Sequence, residues 1–281
     1  MGKISAVRPS PIAGLWYSAD PQQLAQQIDQ YIAQAQIPPL NGKVIALIAP
    51  HAGHRYSGRT AGHAYKTVLG QEFDVVAIVS PMHAYYPAPV LTSAHSSYFT
   101  PLGEVPVERD LTDRLAELLA EETIGLTPIA NDDEHSLEIQ LPFLQRALNK
   151  PFSLLPVMVR RKDWRMAQIL GNALAKVLKH RNALLVASTD LSHFYPLPIA
   201  NQLDTEMLSL IEAFSPQGVL QAEEAATGFA CGAGAVAAVL VAARELGGNE
   251  VKILHYSTSA EETLDSSSVV GYGAAVVLQR D

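Results

Sequence analysis

A single cysteine, Cys231, stands among 281 residues, so no disulfide can form within the chain. A lone free thiol fits a reducing compartment. Charge is also sparse: 17% of residues are Asp, Glu, Lys or Arg, while 48% are hydrophobic. That balance excludes long disordered stretches and supplies apolar surface for a sizeable core. Positive charge is scarcest. The 20 Lys and Arg are outnumbered by 28 Asp and Glu, the net charge is −8, and no basic run exceeds Arg160-Arg161-Lys162. The chain therefore lacks the basic footprint of a nucleic-acid binder, and the same shortage argues against anionic membranes as partners. The one decoy for a membrane span, residues 226–243, is uncharged and rich in Gly and Ala. It is shorter than the ~20 strongly apolar residues of a membrane span and reads as a buried helix. The first residues lack the basic-then-apolar pattern of a signal peptide. Met1-Gly2 resembles a myristoylation start, but Ala6 stands where Ser or Thr is needed. A cytoplasmic protein is expected. No Gly-x-Ser-x-Gly elbow and no phosphate-cradling glycine loop after a strand are found, which leaves serine-hydrolase and nucleotide-binding readings without support.

What is present is a set of apolar runs that end in polar loops. Val44-Ile-Ala-Leu-Ile-Ala-Pro-His51-Ala-Gly-His54-Arg-Tyr-Ser-Gly58 reads as a buried strand delivering a histidine at its end, with a helix over 59–69. Similar strands are expected at 75–80, 153–159 and 184–188, followed by Pro81-Met-His83, by Arg160-Arg161 and by Thr189-Asp190-Leu-Ser192-His193. Asp20 caps an expected helix over 21–35, with Pro at its first position. Residues 87–108 suggest a hairpin excursion. Further helices are expected at 110–120, from the acidic loop at 131 to about 148, and at 163–179, 199–213 and 216–224. A last helix opens at Phe229-Ala-Cys231-Gly-Ala-Gly234 and runs to 246. Strands at 251–257 and 269–278 close the chain as a ribbon. Apolar strands alternating with helices predict an α/β fold: a central mixed, largely parallel sheet with helices on both faces. No linker or repeat interrupts the chain, so residues 1–281 are expected to form a single domain.

His51, His83, Asp190, His193 and Cys231 are the leading site candidates, with His135, Glu134 and Glu138 behind them. If the strands are parallel, the first four share one rim of the sheet. Cys231 falls at an expected helix N-terminus, where the dipole favours thiolate, the metal-binding form. Two imidazoles and a thiolate make a three-ligand site suited to zinc, copper or iron rather than magnesium or calcium. Each residue also has a plainer reading: His51 as a turn donor, His83 in a surface aromatic cluster with Tyr85 and Tyr86, Cys231 as a small buried hydrophobe, Asp190 as a helix cap, and Glu134, His135 and Glu138 as a solvated helix start. A Cys231/His193/Asp190 triad is a further option, but it leaves His51 and His83 without a role. His54, His63, His95, His180 and His255 lack comparable contexts.

Ala49-Pro-His51-Ala-Gly53-His-Arg-Tyr56-Ser-Gly58, Asp133-Glu-His135-Ser-Leu-Glu138-Ile-Gln-Leu-Pro142-Phe and Ser188-Thr-Asp190-Leu-Ser-His193-Phe together resemble the Memo family, named for the mediator of ErbB2-driven cell motility. Its prokaryotic members are often called AmmeMemoRadiSam system protein B. The resemblance spans nearly the whole chain. It implies the fold of LigB-type class III extradiol dioxygenases, non-haem iron enzymes with a two-histidine, one-glutamate metal site. It places the two histidine ligands on His51 and His83, the acid/base histidine on His193, and a cysteine, Cys231, at the carboxylate position. Asp190 would orient His193 or hydrogen-bond a ligand, and His135 would line the pocket. The implied cofactor is iron or copper, with zinc as an option. The resemblance supports two functions: a dioxygenase-like oxidoreductase acting on a small oxidisable molecule, or a non-catalytic module for a peptide or protein partner. Radical-SAM and AMMECR-type proteins are the partners that the family name suggests.

Overall fold

A computed structural model describes residues 5–280; the Met1-Gly2 start lies outside the described residues. The chain begins with β1 (Val7–Arg8), α1 (Pro21–Gln34), β2 (Lys43–Ala49), α2 (His54–Lys66) and β3 (Val75–Pro81). Next come β4 (Val90–Ser93), β5 (Ser97–Thr100), β6 (Gly103–Pro106), α3 (Arg109–Glu121) and β7 (Leu126–Ile129). A 3-10 turn at Glu138–Gln140 leads into α4 (Leu141–Ala147), β8 (Ser153–Val159), α5 (Trp164–Leu178) and β9 (Ala183–Ser188). The last third holds β10 (His193–Tyr195), α6 (Leu197–Glu212), α7 (Pro216–Glu224), α8 (Ala233–Glu245), β11 (Glu250–Thr258), α9 (Ala260–Thr263) and β12 (Val269–Gln279).

Nine strands form one sheet in the order β10-β12-β2-β9-β3-β8-β4-β7, with β11 on β12. Its centre, β2-β9-β3-β8, is parallel throughout. β12 and β4 flank that centre antiparallel to it. The mixed α/β sheet expected from the sequence is thus present, and its parallel centre consists of the four continuous apolar runs. Such runs are what a strand covered on both faces requires. β3 illustrates the division: Val75, Ala77 and Val79 face the core beneath α3, α5 and α8, while Val76 and Ile78 face the core beneath α1, α2 and α4. The ribbon of β11 and β12 also forms as expected.

Several boundaries differ from expectation. α2 starts at His54 rather than at 59, because Gly53 turns the chain directly into the helix. The excursion divides: Val90–Ser93 joins the main sheet, while β5 and β6 make a hairpin that pairs with β1 in a separate small sheet. Asp20 caps α1 as expected, its carboxylate accepting from the Gln23 N–H at 2.8 Å. The Gly/Ala run becomes α8, whose residues from Ala233 to Leu240 are all buried. Small side chains let it approach α5 so closely that a Cβ at Gly171 would lie 2.6 Å from the Val241 side chain. Among the described residues no helix is long and apolar enough to cross a membrane.

Candidate metal centre

The parallel strands β2, β9 and β3 end at Ala49, Ser188 and Pro81 on one rim of the sheet. Their following loops carry His51, Asp190 with His193, and His83. Cys231 arrives from the loop before α8, where its N–H donates to the Asp190 carbonyl at 3.2 Å and the Asp190 N–H donates to Sγ, also at 3.2 Å. The next residue must be glycine, since a Cβ at Gly232 would meet the Ser188 carbonyl at 2.3 Å. This packing brings one ligand atom each from His51, His83 and Cys231 within 4.8 Å of one another. Cys231 Sγ lies 3.1 Å from His51 Nε2.

Both imidazoles have their Nδ1 occupied. His83 Nδ1 bonds Glu134 at 2.9 Å, and His51 Nδ1 bonds the Ser188 hydroxyl at 3.0 Å. A carboxylate accepts only, so His83 donates from Nδ1 and keeps the Nε2 lone pair free. Glu134, His83 and His135 form a second close group, but the chemistry there differs. The Glu134 carboxylate also accepts the N–H groups of His83, His135 and Ser136, which saturates it. It holds His83 from behind rather than offering a free ligand. Burial acts to raise its pKa, yet the His83 ring and these N–H donors hold it well below the usual carboxylate range.

A donor set of two imidazole nitrogens and a sulfur fits a transition metal. Without one, the expectation that the α8 dipole favours thiolate is corrected. Burial, followed by the charge of Asp190, pushes the Cys231 thiol up to about 12. Burial and the neighbouring His135 and His83 rings drive the His51 pKa well below its ordinary value. Cys231 and His51 therefore face each other as neutral thiol and neutral imidazole, and metal binding has to displace the thiol proton.

His193 lines a pocket of about 210 Å³ together with Cys231, Tyr195 and Phe229. Its Nδ1 bonds the Leu191 carbonyl at 2.8 Å, which leaves Nε2 as a proton acceptor. Asp190 does not orient it. Instead the Asp190 carboxylate accepts the N–H of His51 at 2.7 Å and of Ala52 at 3.3 Å, fixing the loop that carries His51. Burial raises its pKa to about 7 against the pull of these two donors. The Cys231/His193/Asp190 triad is not assembled, because its members bond elsewhere. His135 stacks on His83 at 4.8 Å and packs against the tilted Trp16 ring at 4.0 Å, and burial lowers its pKa to about 4. Glu138 is fully buried rather than a solvated helix start. It pairs with Arg8 and accepts from Tyr17.

The remaining histidines lie outside this cluster. His95 is bonded at both ring nitrogens to backbone, His63 and His255 stack on each other at 4.0 Å, and His180 is exposed. The sequence reading passed over Ser188, Gln140 and Trp16. A serine closing a buried apolar strand and a glutamine among buried apolar neighbours were the available signals.

The family model for Memo-like proteins matches residues 8–276. The chain belongs to the Memo family. A MEMO1 family protein of Methanopyrus kandleri is 33% identical over 97% of this chain and 99% of its own length. One from Nitrosopumilus maritimus is 32% identical over 95% of this chain and 98% of its own. An uncharacterized protein of Escherichia coli K12 shares the fold, with a TM-score of 0.54 at 16% identity, covering 82% of this chain and 99% of that one. Membership matches the resemblance drawn from the three motifs.

Proposed function

We propose that this Memo-family chain holds a redox-active transition metal, iron or copper, on His51, His83 and Cys231 and uses it on a small oxidisable substrate. The observation that carries the reading is the convergence of one ligand atom each from His51, His83 and Cys231 within 4.8 Å, with both Nδ1 positions engaged from behind. A thiolate favours iron, copper or zinc over hard cations, and three protein ligands leave positions open. When bound, the metal supplies Lewis acidity and electron transfer to molecules in the cleft. The chain supplies the rest. His193 takes or returns a proton at Nε2 in the pocket it shares with Cys231. The stacked Tyr195 and Phe229 rings offer an apolar wall to a planar substrate. His135, clamped between Trp16 and His83, closes the opposite side.

The test is metal content by mass spectrometry on untagged protein purified anaerobically without chelators. Stoichiometric iron or copper in the wild type, lost in His51→Ala and in Cys231→Ala, is expected. No metal in any sample, and none taken up on reconstitution, would sink the reading.

One observation favours a second reading, a docking site for a protein partner. Leu15, Tyr85 and Phe194 are 81%, 82% and 74% exposed, and each lies within two residues of Trp16, His83 or His193. Exposed apolar side chains beside a cleft suit protein contact. Radical-SAM and AMMECR-type proteins are the candidates from family association. Co-elution of either with the wild type, lost in Tyr85→Ser/Phe194→Ser, supports this reading; no co-elution removes it.

A further inference from the structure

We propose that Ser188, held in place by Gln140 and Tyr65, is a positioning residue that locks the His51 imidazole in its Nδ1–H tautomer. The purpose of this lock rests on the metal-centre reading, but its direct test does not. Two backbone carbonyls, which accept hydrogen bonds and never donate them, fix the direction of the contacts.

The first is Ser136 O, 2.6 Å from Ser188 Oγ. The serine has one hydroxyl hydrogen, and this contact consumes it. Every other neighbour of Ser188 Oγ must then donate to it. One of them is His51 Nδ1 at 3.0 Å, so the proton of the neutral ring sits on Nδ1. The second carbonyl is Pro50 O, 2.9 Å from Gln140 Nε2. An amide oxygen there would face another oxygen without a hydrogen between them, so the nitrogen side is fixed. The same nitrogen donates to Ser188 Oγ at 2.8 Å. The amide oxygen, now turned the other way, accepts from Tyr65 OH at 2.6 Å. All four side chains of the relay are buried, with His51 and Gln140 at 1% exposure and Ser188 and Tyr65 at none. Solvent therefore offers no alternative partner.

The direction of this relay matters because a free neutral imidazole favours the opposite, Nε2–H tautomer. In that form His51 would point a hydrogen at Cys231 Sγ and have no lone pair for a ligand. With Nδ1 protonated, Nε2 accepts the thiol hydrogen of Cys231 at 3.1 Å and is already shaped as a donor atom. Gln140 acts twice, since it also grips the carbonyl of Pro50, the residue just before His51. The elements involved are far apart in sequence: Tyr65 lies on α2, Gln140 on the 3-10 turn and Ser188 at the end of β9. The fold joins them in one relay, of which Ser188 alone touches His51 Nδ1.

The experiment is long-range 1H–15N correlation NMR on the metal-free protein with 15N-labelled histidine at neutral pH, with His51→Ala to assign the ring. His51 is expected with its proton on Nδ1; a proton on Nε2 overturns the proposal. In Ser188→Ala the Nδ1–H preference is expected to be lost, because Nδ1 then faces no acceptor. Tyr65→Phe leaves both carbonyl contacts in place and is expected to keep it. Cobalt(II) titration supplies the second readout. Its affinity is expected to fall about 10–100-fold in Ser188→Ala, the usual effect of removing a partner behind a metal-binding histidine. A Ser188→Ala protein that keeps both the Nδ1–H tautomer and the cobalt affinity overturns the positioning role. If the wild type binds no cobalt while His51 carries its proton on Nδ1, the lock stands and the metal-centre reading falls.

Discussion

His51 and His54 are three residues apart and equally buried, and their surroundings give them opposite fates. His51 is bonded through Nδ1 and faces a sulfur with Nε2. His54 is packed against Tyr17 and Phe143, its Nδ1 has no partner, and Nε2 has only a long 3.4 Å contact to the Ile139 carbonyl. Burial outweighs that contact and lowers the His54 pKa from 6.5 to about 4. The unfolded chain binds this proton more readily, so the stability His54 contributes is present above pH 6.5 and is lost as pH falls from 6.5 to about 4. At 1.36 kcal/mol per pKa unit the loss is about 3 kcal/mol. Urea unfolding at pH 7 and pH 4.5 checks it: His54→Phe is expected to lose clearly less stability between the two than wild type. Equal losses would place the acid sensitivity elsewhere. Residue types alone ranked His54 below His51, because His51 is the first histidine after the strand. They could not reveal that Asp190 grips backbone N–H groups, or that burial overrides the helix dipole at Cys231. Both effects depend on residues 40 or more positions away in the chain.

At the scale of elements, α2 packs against α1 through glycine. A Cβ on Gly62 would lie 2.5 Å from the backbone carbonyl oxygen of Tyr31 on α1, where nothing can swing aside. Gly62→Ala is therefore expected to destabilise the fold by about 1–3 kcal/mol, the range for overpacking. Chemical denaturation checks this, and a neutral result would mean the two helices can separate cheaply. Elements with a strong pattern were legible in advance. β2, β3, β8 and β9 are apolar runs because both their faces are covered, and α8 carries no charge from Ala233 to Ala243 because that stretch is largely enclosed. The start of α2 was not legible. His54-Arg-Tyr-Ser57 reads as a polar loop, although His54 and Ser57 are in fact buried. β1, β7 and β10 span two to four residues, too few for a period to show.

Across the whole molecule, a parallel centre makes residues far apart in sequence meet. Strand ends supply His51, His83 and Asp190 to one rim, and α8 returns to add Cys231. The first residues of the described chain complete the arrangement. Arg8 is 1% exposed, pairs with Asp132 at 2.8 Å and with Glu138, and donates to the Glu134 carbonyl. Trp16 packs against His135 with its ring tilted. The Arg8 contacts join residues more than 120 positions apart, and the sequence contains no local sign of them. Removing Arg8 leaves two buried carboxylates without their cation, so Arg8→Ala is expected to cost about 3–5 kcal/mol in urea unfolding. A cost below about 1 kcal/mol would mean that water reaches Asp132 and Glu138. Since Arg8 also holds the Glu134 backbone, the same variant is expected to weaken metal retention through His83.

The claim on which the rest depends is the identity of the three ligands. X-ray absorption at the edge of the metal that the purified protein carries, or takes up on reconstitution, examines them directly. One sulfur and two imidazole nitrogens in the first coordination sphere are expected, with the sulfur lost in Cys231→Ala and one imidazole lost in His51→Ala. A sphere of oxygen and nitrogen alone, unchanged in both variants, would contradict it.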